Sequence, residues 1–118
     1  MTREEKFMQE AIALSRHGME NNHGGPFGCI IVKDDEIVGR GNNQVTSTND
    51  PTAHAEVVAI RDACRNLGTF QLDDCEVYTS CEPCPMCLGA IYWARPKIIY
   101  FANNREDAAT IGDRKSVV

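Results

Sequence analysis

Apolar residues recur at three- and four-residue intervals between about Thr2 and Asn21: Phe7, Met8, Ala11, Ile12, Leu14 and Met19. Arg3, Glu4, Glu5, Glu10 and Arg16 fill the positions between them. This spacing predicts an amphipathic helix. Its mixed charges fit packing against a core better than lying on a membrane surface. Gly24-Gly25-Pro26 then breaks the pattern. The apolar run Phe27 to Val32 predicts a buried strand, Asp34-Asp35 a turn, and Glu36 to Gly39 a second strand. So short a connection implies an antiparallel hairpin. Gly41 to Asn49 is polar and predicts a loop, carrying Asn42, Asn43 and Gln44 just ahead of the next helix. Asparagine in a loop is ordinary turn chemistry, but at the mouth of a site it equally serves binding.

Helical spacing resumes from Pro51 to about Asn66 through Val57, Ile60, Cys64 and Leu67, and Gly68 suits the helix end. Cys75 to Ser80 predicts a strand, a helix runs on to about Ala94 before Arg95-Pro96, and Lys97 to Ala102 predicts another buried strand. From residue 36 onward the order is β-α-β-α-β. That alternation calls for a sheet with parallel crossovers and helices on its faces, an α/β fold.

The 118 residues fit a single domain, 1–118, with room for a core. The apolar fraction of 42% is that of an ordinary globular chain, so disorder is not indicated. There is no charged-then-apolar leader and no long apolar run, which predicts a soluble, unexported, cytoplasmic protein without membrane contact. In that compartment the six cysteines are expected as thiols, with Cys29, Cys64 and Cys75 acting as small buried hydrophobes. A net charge of −5 argues against a nucleic-acid polyanion as the main partner, because phosphate binding needs clustered Lys and Arg.

Two stretches carry candidate chemistry: Asp50-Pro51-Thr52-Ala53-His54-Ala55-Glu56 and Cys81-Glu82-Pro83-Cys84-Pro85-Met86-Cys87. A catalytic zinc takes three protein ligands and keeps one position for water. His54, Cys84 and Cys87 supply three, and one zinc per chain is expected. Cys84 and Cys87 are three apart, so on a helix they share a face. Asp50 suits a cap with Pro51 at the first helical position, and Pro83 or Pro85 serves the second stretch in the same way. The metal would then sit between two helix N-termini, whose partial positive charge favours thiolates. Glu56, two residues after His54, is placed to move protons beside the bound water. Two plainer readings compete. A structural zinc site would close with a fourth ligand, for which Cys81, His17 and His23 are available, and Cys-x-x-Cys alone also suits a redox pair.

His-x-Glu followed by Pro-Cys-x-x-Cys is the described signature of zinc-dependent base deaminases. With Gly25-Pro26-Phe27-Gly28, Asn49 to Glu56, Tyr78 to Cys87 and Ala90-Ile91-Tyr92-Trp93-Ala94-Arg95-Pro96, the chain resembles the cytidine-deaminase-like superfamily, most closely the bacterial guanine deaminases. Asp-Pro-Thr-Ala-His-Ala-Glu also occurs in tRNA adenosine deaminases and does not decide substrate. The resemblance runs from the first helix to about Gly112. It implies a three-layer α/β/α cytidine deaminase-like fold, a mixed sheet, a homodimer, and hydrolysis of a small purine base, guanine to xanthine and ammonia. It implies zinc on His54, Cys84 and Cys87, Glu56 as proton shuttle, and substrate contacts from Phe27, Asn43 and the Ala55 amide. Phe27 also has the ordinary reading of a core aromatic.

Toward the C-terminus the chain departs from that pattern. Family members continue into segments that exchange between subunits and help close the site, whereas here only Asp113 loosely matches the family's acidic substrate contact. The expectation is a dimer with a site open on one side, the tail from about Asn103 mobile or packed on a subunit, and weak turnover. The alternatives are a tRNA adenosine deaminase, another nucleoside or nucleobase deaminase, and a non-catalytic zinc-stabilised module.

Overall fold

The structure, a computed structural model, describes residues 1–103. Its order is α1 (Arg3–Glu20), β1 (Gly28–Lys33), β2 (Glu36–Asn42), α2 (Val45–Thr48), α3 (Ala55–Leu67), β3 (Glu76–Cys81), α4 (Pro85–Ala94) and β4 (Ile98–Asn103). The sheet order is β2-β1-β3-β4. β1 is antiparallel to β2 and to β3, and β3 is parallel to β4. This is the mixed α/β sheet expected from the alternation, with the antiparallel hairpin at its start.

Side chains alternate across a strand, and β1 is apolar at every position from Cys29 to Val32, so it needs cover on both faces. Cys29 and Ile31 join Ala55, Ala59 and Ala63 of α3 and Ala94 of α4 in one core. Ile30 and Val32 join Ala11 of α1 and Tyr78 of β3 in the other. Hence α1 covers one face, α3 and α4 cover the opposite one, and three layers result. On the second face α3 lies hard against β2. A Cβ at Gly41 would collide with the Ala55 carbonyl oxygen, so glycine there brings the start of α3 down onto the sheet. That start carries the site.

α1 begins with a capping box. The Glu5 amide donates to Thr2 Oγ1 (3.1 Å) and the Thr2 amide to Glu5 Oε1 (2.9 Å). The hairpin turns through Asp34 and Asp35, both with positive φ, the conformation that primed two-residue turns require.

Three expectations change. The polar stretch Gly41 to Asn49, expected as a loop, instead carries the end of β2 and the short helix α2. β4 reads as a buried strand from its apolar sequence, yet Ile98 and Phe101 are 41% and 49% exposed. β4 is the edge of the described sheet, and an apolar run carries no signal that separates an edge from a centre. Cys64 is only half-buried, whereas Cys29 and Cys75 are fully buried. Among the described residues no helix is long and apolar enough to cross a membrane.

Arg3 ties the first helix to the sheet. Its guanidinium donates to Glu76 Oε1 (2.8 Å) and Oε2 (3.2 Å) and also bonds Asp35 in the hairpin turn. Burial pushes the Glu76 carboxyl up, but the hydrogen bonds from Arg3 and Tyr78 outweigh it and hold it below the ordinary glutamate value. A depressed folded value contributes stability above the ordinary range, and that contribution is lost as pH falls through the folded value. Glu76→Gln is therefore expected to melt lower than the parent at neutral pH, with the gap closing on acidification below about pH 4. Thermal melts from neutral to acid pH test this, and a gap independent of pH would contradict it.

Candidate metal and active site

His54 and Cys84 occupy equivalent places. Each is the N-cap of its helix with extended backbone (φ −70°, ψ 155° and φ −71°, ψ 169°), and neither side chain caps its own helix. Both side chains are thereby released toward a common point. Cys84 Sγ lies 3.5 Å and Cys87 Sγ 3.6 Å from His54 Nδ1. A tetrahedral zinc with its ordinary bonds to nitrogen and sulfur sets N···S separations of about 3.5–3.6 Å, so the three atoms fit the ion. Among the described residues, His54, Cys84 and Cys87 form the group able to hold a metal. Cys81 is outside it, as are His17 and His23, whose rings meet each other edge to face at 5.6 Å. The fourth-ligand reading thus finds no support among them, and a three-ligand group leaves a position for water.

The helix starts differ from those expected. Asp50 does not cap α3. Its Oδ1 instead accepts from the Thr52 amide (2.9 Å) and hydroxyl (2.6 Å), closing a turn, and the Ala53 amide donates to the Asp50 carbonyl at 3.1 Å. Asparagine and aspartate make such turns with their own backbone as readily as they cap helices. Those hydrogen bonds, with a smaller contribution from Arg61, lower the Asp50 carboxyl. Arg61 of α3 reaches back to Asp50 (3.5 Å) and Thr52 (3.5 Å), bracing the turn that delivers His54. Sequence reasoning missed Arg61, although the Asp-x-Thr spacing was a legible turn signal. On the second helix Pro85 takes the first helical position.

Glu56 lies in the first turn of α3 and is 7% exposed. Burial pushes its carboxyl up, and hydrogen bonds from its own amide and from Cys87 pull it partly back. A carboxyl raised in this way holds a proton more readily than an ordinary glutamate, which suits a group that both accepts and donates one. Phe27 and Asn43 meet across the hairpin, where the Asn43 amide donates to the Phe27 carbonyl (3.2 Å). The Gln44 amide donates to the Ala53 carbonyl (2.9 Å), joining this strand end to the turn before His54. Asn43 is buried, with its Oδ1 accepting from the Val45 amide (3.0 Å). Phe27 packs on the α3/α4 core and also lines a cavity of about 160 Å³ with Ile12, Ser80 and Asn103. Ala55 is the first helical residue of α3, so its N–H belongs to the turn that has no acceptor within the helix. Asp113 and the tail lie outside the described residues.

The sequence profile described as the cytidine and deoxycytidylate deaminase zinc-binding region matches residues 1–103. The chain belongs to this family of zinc-dependent deaminases. It is 60% identical over 108 residues to the guanine deaminase of Bacillus subtilis (strain 168), covering 92% of this chain and 69% of that one. The crystal structure of the Bacillus subtilis enzyme superposes with a TM-score of 0.90 over the same shares. The tRNA-specific adenosine deaminase of Aquifex aeolicus is 39% identical over 108 residues, covering 91% of this chain and 71% of that protein. A guanine deaminase structure from Nitrosomonas europaea is 31% identical with a TM-score of 0.84, covering 89% of this chain and 61% of that one.

Proposed function

We propose that this single domain hydrolyses the amino group of a free purine base, converting guanine to xanthine and ammonia, with Glu56 moving the protons. The observation that carries the reading is a buried Glu56 beside a His/Cys/Cys group able to hold a metal, in a chain 60% identical to a guanine deaminase. His54, Cys84 and Cys87 would hold the ion. When bound, it would act as a Lewis acid that makes water nucleophilic at neutral pH. Glu56 accepts the proton of the attacking water and delivers it to a ring nitrogen of the base. Water oxygen bonds to the amine-bearing carbon. Glu56, having given up the first proton, takes the second from the added hydroxyl and passes it to the amino nitrogen, so the C–N bond breaks, the carbonyl forms and ammonia leaves. Phe27 stacks on the base, while Asn43 and the Ala55 amide hydrogen-bond it.

The tRNA reading is kept by the Aquifex relative and opposed by the net charge of −5. A non-catalytic zinc module would have no use for a buried Glu56. Ammonia release from guanine, guanosine, cytosine, adenine and a tRNA anticodon stem-loop separates these readings. Turnover confined to guanine is the expected result, and turnover confined to the stem-loop would replace the substrate assigned.

For the base pocket, Phe27→Leu is expected to raise KM several-fold while lowering the melting temperature only by a few degrees, because the leucine still covers the core. A large drop in melting temperature with unchanged KM would reduce Phe27 to a core residue. A homodimer is proposed as well. Tyr92 and Trp93 on α4 are 63% and 70% exposed, beside an open groove of about 460 Å³ lined by Leu88, Ile91 and Arg95. So much exposed aromatic area is characteristic of an interaction surface. Trp93→Glu should shift the sedimenting species to monomer, and a parent that already sediments as monomer would sink the assignment.

A further inference from the structure

We infer that His23 is a positioning residue for the purine pocket, acting through the Asn42 amide on Asn43. The inference rests on the proposed reading that Asn43 contacts the base.

Asn42 is the last residue of β2 and is 6% exposed. A buried amide needs partners for both its ends. Gln44 Nε2 donates to Asn42 Oδ1 at 3.0 Å, which turns the Asn42 amide nitrogen toward His23, 3.2 Å from its Nδ1. His23 therefore accepts on Nδ1. His23 is itself fixed, since its backbone amide donates to the Gly18 carbonyl at 2.8 Å beyond the end of α1. Gly18 belongs to the same arrangement. A Cβ there would lie 2.9 Å from Asn42 Nδ2, so glycine lets the amide sit against the helix.

The two neighbours of the held amide matter. Asn42 pairs with Gly28 across the hairpin. The next residue, Asn43, is bonded to Phe27 through its backbone and braced by Val45 through its side chain. Gln44, the far end of the amide chain, is bonded to Ala53 beside the ligand His54. The end of α1, the start of β1 and the loop before α3 are thus joined at Asn42, and its neighbour is the base-reading residue. Removing the His23 acceptor leaves a buried donor unmet, which the strand end can relieve only by shifting. That shift moves Asn43.

The test is steady-state kinetics on guanine with zinc-loaded protein, comparing the parent, His23→Leu, His23→Gln, Asn43→Ala and the His23→Leu/Asn43→Ala double variant. His23→Leu is expected to raise KM about tenfold with kcat changed less than about threefold, the signature of lost ground-state binding. His23→Gln restores an acceptor and should recover most of the KM. In the double variant KM should match that of Asn43→Ala alone, because two residues acting through one contact are not additive. Zinc content should equal that of the parent throughout. A His23→Leu KM within about twofold of the parent, a glutamine variant as impaired as leucine, or additive effects in the double variant would each overturn the inference. No guanine turnover in the parent would instead reject the reading of Asn43 on which it rests.

Discussion

Glu56→Gln is expected to keep its zinc and its fold and to lose turnover by a factor on the order of a hundred to ten thousand, the range of a positioned general acid–base group. The substitution is nearly isosteric, so the first turn of α3 and the packing around it need not change. What it removes is the ability to accept a proton from water and return it. Burial already holds the wild-type carboxyl above its ordinary value, so a neutral amide at this place adds no desolvation cost and stability should hold or rise slightly. Zinc content, melting temperature and ammonia release measured on one preparation decide the matter. Parent-like turnover would remove Glu56 from the proton path, and loss of zinc together with turnover would make it a structural support of the ligands.

The grouping of His54, Glu56, Cys84 and Cys87 was legible because His-x-Glu with Pro-Cys-x-x-Cys is the described signature of zinc-dependent base deaminases. That signature links two segments 30 residues apart that spacing alone does not join. The helices on the sheet faces were legible from the β-α-β-α-β alternation, and the unbroken apolar run of β1 gives the physical reason that both faces are covered. Interactions between distant residues that belong to no such signature were not legible. Arg3 meets Glu76 across 73 residues and Asn42 meets His23 across 19, and no periodicity registers such pairs. The start of α3 was misread at Asp50 for a further reason. Aspartate satisfies either a helix N-terminus or its own turn, and the outcome depends on the Thr52 hydroxyl it finds two residues on. The edge position of β4 depends on what lies beside the strand, which its own residues do not record.

Cys87→Ala should abolish stable zinc binding, with an affinity loss well beyond the roughly 10- to 100-fold typical of residues that merely support a ligand. Cys87 is fully buried at the third position of α4, and its Sγ is one of two thiols within 3.6 Å of the His54 nitrogen. Alanine there leaves two ligands, too few for the tetrahedral set that a zinc centre with one water requires. The effect on stability follows from linkage, because an ion that binds only the folded chain adds its binding free energy to folding. A chelator should therefore lower the melting temperature of the parent markedly and that of Cys87→Ala hardly at all. The same thiol makes binding depend on pH. Burial and the nearby Glu56 carboxyl push the Cys87 thiol well above its ordinary value, so without the ion it is protonated at neutral pH, and binding must expel that proton. Zinc affinity should accordingly fall as pH falls in the parent, and fall less steeply in Cys87→Ala, which has one fewer proton to release. Chelator competition across pH with metal analysis by mass spectrometry measures both slopes. Full zinc occupancy in Cys87→Ala, or equal slopes in the two proteins, would place the metal on other residues.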